Sequence, residues 1–168
     1  APQSLANLKI THHSRCWSFS RRGRKYRCFD TCHTQYGEST GERVLGLIQR
    51  VTEASVTVNE QTIGVIAQGS LVLIGVQPDD TEAHVKKLGD KLLNYRIFAD
   101  DEGKTNLSLI DVSGGLLLVP QFTLAADTRK GLRPSFSSAA NPAQAEMLFD
   151  KLVEYCRAQY PQVETGQF

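Results

Sequence analysis

The segment GGLLLVPQFTLAADTRKGLRPSF, residues 114–136, holds the side chains with the strongest claim to chemistry. An apolar run stops at Pro120 and is followed at once by Gln121, Phe122 and Thr123. A threonine hydroxyl is a weak nucleophile unless a base activates it. The only histidine after residue 43 is His84, on an expected exposed helix face beside Lys86 and Lys87. Cys156 falls on an apolar helical stripe and reads as core. Residues 44–168 therefore cannot assemble a Ser–His or Cys–His triad. Asp127 is a candidate acid or base, although a turn role suits it better. What remains is a site that works through backbone N–H donors just beyond a strand, holding an anion or a developing oxyanion. On spacing alone, a structural strand followed by a loop is the simpler reading.

Other chemistry is less well supplied. Cys16, Cys28, Cys32 and His33, with His12 and His13 nearby, are metal-ligand types. Their Cys-x11-Cys-x3-Cys-His spacing lacks a paired Cys-x2-Cys knuckle, so no metal site is expected. No GxxxxGK[ST] phosphate loop is present. Arg21, Arg22, Arg24, Lys25 and Arg27 form a basic cluster interleaved with Trp17 and Tyr26. It suits a phosphate backbone, a transit peptide or a non-native terminus, and these readings stay open.

Composition frames these elements. The chain has 168 residues, 40% hydrophobic, enough for one domain with a real core or one domain plus an appendage. Its net charge of +1 divides unevenly: residues 1–43 carry about +5 and residues 44–168 about −4, by count. Residues 1–43 show no sustained period and read as a basic loop or disordered extension, with the boundary near Gly41. No apolar run is long enough for a membrane helix. Three of the four cysteines lie in the extension, so no disulfide framework is expected for the main domain, and a reducing compartment fits. Met147 is the only methionine, so the sequence is expected to be a fragment, a processed form or an engineered piece.

VLGLIQRV, ASVTVN, TIGVIA and SLVLIGV predict an antiparallel meander. Asp79–Thr81 then caps a helix carrying Val85, Leu88, Leu92 and Leu93. LSLIDV is expected to be a short strand, and Gly114-Gly115 opens the strand that ends at Pro120. Asn141 and Pro142 start a second helix, with a stripe of Ala145, Leu148, Phe149, Leu152 and Cys156. YPQVETGQF reads as a connection. The sum is an α+β domain with a largely antiparallel sheet and two main helices.

Several of these stretches occur in a familiar order: LGLIQRVTEASVTV, GSLVLIGV, LLNYRIFADDEGKTNLSL, GGLLLVPQFTLAADTRKGLRPSFSSAA and VETGQF. Through them residues 44–168 resemble the D-aminoacyl-tRNA deacylase family. The resemblance implies a homodimeric, barrel-like α+β fold and no metal or organic cofactor. It implies cytoplasmic hydrolysis of the ester joining a D-amino acid, or mischarged glycine, to the 3′ end of a tRNA. Neither membrane nor DNA is implied as a partner. Backbone amides around Gln121 and Phe122 become the carbonyl clamp, and Thr123 lines the catalytic pocket. The family's chemistry is described either with that threonine as nucleophile or with the terminal ribose 2′-hydroxyl assisting. Arg50, Ala125, Arg133, Pro134, Ser135 and Phe136 become substrate-end walls and supports.

Two departures stand out. Pro120 occupies the position where the family motif, Ser-Gln-Phe-Thr-Leu-x-Ala, has serine. Proline removes an N–H, so the fold should accept it only where that N–H faces away from ladder pairing. The family also continues past this chain's last residue with a Met-Gln-Val strand and an Asn-x-Gly-Pro-x-Thr motif. Without these, an open pocket, an unpaired sheet edge and weak chiral selection are expected. The alternative to an active deacylase is a non-catalytic RNA-binding or inactive truncated homologue.

Overall fold

The computed structural model describes residues 7–11, 16–19, 25–28, 44–121, 124 and 140–167, the first three segments through their strand placement only. Residues 45–75 supply four strands: β4 (Leu45–Val51), β5 (Glu53–Val58), β6 (Gln61–Ile66) and β7 (Gly69–Gly75). Ahead of them lie β1 (Asn7–Thr11), β2 (Cys16–Phe19) and β3 (Lys25–Cys28). Helix α1 (Glu82–Asn94), the short β8 (Phe98–Ala99) and β9 (Thr105–Leu107), β10 (Gly115–Pro120), α2 (Pro142–Gln159) and β11 (Val163–Thr165) complete the order.

Local chemistry accounts for the joints. The β5–β6 hairpin turns at Asn59 and Glu60, whose φ values of 49° and 65° are both in the left-handed region. A two-residue turn with positive φ at both positions matches the twist of the paired strands. The α1 N-terminus is closed by Thr81 and His84, with the Thr81 amide donating to His84 Nδ1 at 3.2 Å. At the start of α2, Asn141 Oδ1 accepts from the Ala143 amide at 3.0 Å, and Pro142 occupies the first turn, where its missing N–H is no loss.

Three sheets result, with orders β1-β5-β6, β11-β10-β7-β4-β2-β3 and β8-β9. Six of the eight pairings among the described residues are antiparallel, while β10 runs parallel to both β7 and β11. Parallel neighbours need a long crossover, and α1 and α2 provide one on either side of β10 in the chain. The strands do not join into a single hydrogen-bonded ring among the described residues.

The large sheet is buried on both faces. Ile48, Val72, Ile74, Leu116, Leu118 and Val163 share one apolar cluster with both helices. Val51, Leu71, Leu117 and Val119 share another with Ala54, Val56, Val58 and Ile66 of the β5–β6 layer. Leu116, Leu117 and Leu118 are each fully buried, as expected for a central parallel strand covered on both sides.

Four expectations from sequence change. The four strands from Leu45 to Gly75 are not a meander: β5 pairs with β6, but β4 pairs with β7, so the β5–β6 hairpin folds out into a second sheet. The loop reading of residues 1–43 gives way to strands in three short pieces. β1 pairs with β5 and β2 with β4, so exposed backbone at strand edges supplies partners that local sequence periodicity does not reveal. LSLIDV is a turn beyond Leu107, not a strand. The Ser108 amide and hydroxyl both donate to Asp111 Oδ2, at 2.8 and 2.7 Å, curling the chain locally. YPQVETGQF contains β11, which continues the sheet beyond β10.

Candidate active site

β10 places the motif. Its amides alternate between neighbours. Those of Gly115 and Gln121 donate to the Gln68 and Ile74 carbonyls on the β7 side, at 2.9 and 2.7 Å. The Leu116 amide donates to Gln162 on the β11 side at 2.9 Å. By that alternation the missing N–H of Pro120 falls on the β11 side, opposite Gly166 and past Thr165, the last residue of β11. The Gly166 amide still donates to the Leu118 carbonyl at 2.7 Å, so the chain follows β10 as far as Gly166, and the missing N–H is the donor with which this pairing would have continued. A Cβ on Gly166 would stand 3.4 Å from Pro120 Cδ, so the proline ring fills this space. The condition set from sequence for accepting Pro120 is not met: the missing N–H faces the chain that pairs with β10, and the pairing stops where proline stands.

Gln121 leaves the sheet immediately afterwards. It is half-buried, and its carbonyl accepts from the Leu124 amide at 3.2 Å, which turns the chain away from the strand direction. Its own amide is already engaged by Ile74. The expectation that the Gln121 amide is a free donor for a substrate carbonyl is therefore corrected: β7 uses that donor to fix the end of β10. Phe122, Thr123, Ala125, Asp127, Arg133, Pro134, Ser135 and Phe136 lie outside the described residues.

Arg50 stands elsewhere. It is opposite Ser70, and Ser70 is opposite Leu116, at the start of β10. Gln121 is five residues further on, about 16 Å away along the strands. Arg50 Nη1 instead donates to the Ile97 carbonyl at 2.8 Å, tying β4 to the chain just after α1. Within one chain the structure does not bring Arg50 beside Gln121.

The other chemical candidates take structural roles. His84 is half-buried and caps α1, 3.7 Å from Asp80 Oδ1, so its expected solvated face is only partial. Asp80 is buried and accepts from the Gln77 amide at 2.7 Å, shaping the turn before α1. Cys156 is fully buried, and burial, reinforced by the Asp90 charge, pushes its thiol up to about 12. That thiol carries negligible thiolate at neutral pH.

Two features of the site were not read from sequence. β11 and Gly166 form one wall beside Pro120, but a three-residue strand gives almost no periodic signal. Tyr160, just after α2, donates its buried hydroxyl to the Gly114 carbonyl at 2.7 Å and so holds the start of β10. An aromatic at a helix C-terminus carries no sequence mark of such a bond.

Comparison with known proteins bears on what this geometry serves. The family model described as D-Tyr-tRNA(Tyr) deacylase matches residues 47–168. A D-aminoacyl-tRNA deacylase of Ectopseudomonas mendocina is 61% identical over 122 residues, covering 73% of this chain and 84% of that protein. Another, of Pseudomonas aeruginosa, is 62% identical with the same coverage. Among solved structures, one described as c-Myc DNA Unwinding Element Binding Protein is similar, with a TM-score of 0.70 and 36% identity over 73% of this chain and 84% of that one.

Proposed function

The chain belongs to the D-Tyr-tRNA(Tyr) deacylase family, and from that membership we propose that it hydrolyses the ester of D-aminoacyl-tRNA, releasing tRNA and the D-amino acid. Mischarged glycyl-tRNA is a second substrate of the same reaction, and translation quality control in the cytoplasm is its setting. The observation that carries the reading is the ordered match over residues 47–168, which includes the whole Pro120–Thr123 segment at the end of β10.

The reaction asks little acid–base chemistry of the protein. A water oxygen adds to the ester carbonyl carbon, negative charge gathers on the carbonyl oxygen, and the 3′-oxygen leaves with a proton. An aminoacyl ester is already activated, so orientation and one well-aimed donor are enough; such a donor is typically worth about 3 kcal/mol. With the Gln121 amide engaged by Ile74, we assign that donor to the Phe122 amide. Thr123 and Ala125 line the pocket, Arg133, Pro134, Ser135 and Phe136 support its substrate end, and the terminal ribose 2′-hydroxyl assists proton transfer. Since Arg50 stands about 16 Å from Gln121 along the strands, its role belongs to a site completed by a second subunit of a homodimer. A barrel-like closure of the sheets is supported by Gly64 of β6, where a Cβ would lie 2.8 Å from the Thr165 carbonyl oxygen of β11.

The test is direct: incubate the chain with D-Tyr-tRNA, L-Tyr-tRNA and buffer alone. Faster release of D-tyrosine than in buffer is expected, and an indistinguishable rate removes the proposed activity. A second reading, a non-catalytic RNA binder, draws on Lys25 and Arg27, which β3 carries beside β2 at one edge of the large sheet. Salt-sensitive tRNA binding without hydrolysis, lost on deleting residues 1–43, would favour it.

A further inference from the structure

We propose that Cys16 and Cys28 are a cross-strand dithiol that closes to an intramolecular disulfide and locks the β2–β3 hairpin. The two residues are direct partners in the antiparallel register, with Trp17 opposite Arg27, Ser18 opposite Tyr26 and Phe19 opposite Lys25. Cys16 opens β2 and Cys28 closes β3, so the pair forms the last rung at the open end of the hairpin. Directly opposed residues in an antiparallel ladder have Cα atoms about 4.5–5.5 Å apart. A disulfide spans Cα separations of about 4.4–6.8 Å, so the Cα separation of either class of rung lies within its range, and closing the bond draws the two Cβ atoms slightly together. Cys16 also lies opposite Gln49 of β4. A bond at this rung therefore fixes the hairpin, with Lys25 and Arg27 on it, where it joins the large sheet.

The remaining described cysteine does not compete. Cys156 is fully buried among the helices, and its high pKa leaves it unreactive. Sequence spacing groups Cys16 and Cys28 with Cys32 and His33 as an irregular ligand set, whereas the register singles out one pair.

The chemistry needs an oxidant, and a small disulfide such as oxidised glutathione is sufficient. One cysteine thiolate attacks a sulfur of the oxidant, its S–S bond breaks, and one glutathione leaves as thiolate and takes up a proton. The second cysteine thiolate attacks the protein-bound sulfur of the mixed disulfide and expels the second glutathione. The protein pair loses two protons and two electrons, and one small disulfide becomes two thiols.

The test equilibrates the full chain with graded mixtures of reduced and oxidised glutathione, quenches with acid, and reads intact mass and a tryptic map without reductant. The expected product is lighter by two hydrogen atoms and links peptide 16–21 to peptide 28–43, with fragmentation placing the bond at Cys28. Cys32→Ser keeps that link. Cys28→Ser abolishes it and leaves glutathione attached at Cys16. A bond from Cys16 to Cys32, a link between two chains, oxidation unchanged in Cys28→Ser, or no protein disulfide in the most oxidising mixture each overturns the proposal.

Discussion

The two ends of β10 are held very differently. At the N-terminal end, backbone meets backbone. A Cβ on Gly69 would fall on the Gly115 carbonyl oxygen, and one on Gly115 would come 2.7 Å from Ile66 Cβ. The Gly114 amide donates to Leu109 at 3.1 Å, the Gly115 amide to Gln68 at 2.9 Å, and the Tyr160 hydroxyl reaches the Gly114 carbonyl at 2.7 Å. At the C-terminal end the hold is lighter. β11 stops at Thr165, Pro120 offers no amide, and Gln121 keeps one sheet bond before the chain turns. A strand anchored firmly at its start and lightly at its end fixes where the motif segment begins, with Gln121 still bonded to β7. That is the arrangement a site built on positioning requires.

The sharpest way to break this contrast is Gly69→Ala. The new methyl meets backbone, which cannot rotate away, so β7 and β10 must separate. A loss of at least about 3 kcal/mol in urea unfolding is expected, with deacylation lost alongside. A stable, active variant would show that the close approach does not anchor β10.

Tyr160→Phe probes the same end more gently. It removes the donor to a buried carbonyl while keeping the ring, and a loss of about 1–3 kcal/mol is expected in the same measurement. A change too small to measure would mean that the Gly114 carbonyl is satisfied without Tyr160.

Much of this scaffold is legible in the sequence, and the reason is length. The stripes Val85, Leu88, Leu92, Leu93 and Ala145, Leu148, Phe149, Leu152, Cys156 run over several turns, and every one of these residues is buried. The apolar runs of β4 to β7 and β10 are also long enough to read. β11 is too short to carry a period, and β1 to β3 depend on partners remote in sequence. The site divides in the same way. Residue identities at 120–123 are legible through resemblance, but the bond that occupies the Gln121 amide is decided by the register of β10 on β7, which no local pattern encodes.

Asp111 gives a smaller, pH-dependent test of the anchored end. Its carboxyl is held below the usual range, first by the Ser108 hydroxyl and then by the Ser108 amide. A depressed folded-state pKa stabilises the fold above the unfolded-state value, and the contribution disappears as pH falls through the folded-state value. Asp111→Asn is therefore expected to lower the urea midpoint slightly at neutral pH, with the gap to the parent closing on acidification. A gap constant with pH would assign the effect to packing and not to the carboxylate.

Pro120→Ser sharpens the lightly held end and carries the smallest stability effect. Serine restores an N–H that points toward the Gly166 carbonyl, so one backbone bond worth about 0.5–1.5 kcal/mol can be regained. It also relaxes the unfolded chain, which costs less than about 1 kcal/mol. Even a Cβ on Gly166 would stand 3.4 Å from the ring's Cδ, so removing the ring relieves no strain. Gain and cost oppose each other, so stability should shift by less than about 1 kcal/mol in urea unfolding. Activity should move more, because serine adds a hydroxyl immediately before Gln121, at the head of the motif segment. An increase in kcat/KM on D-Tyr-tRNA with unchanged stability separates presentation from anchoring. A large stability loss with unchanged kcat/KM would make Pro120 an anchor and erase the difference between the two ends.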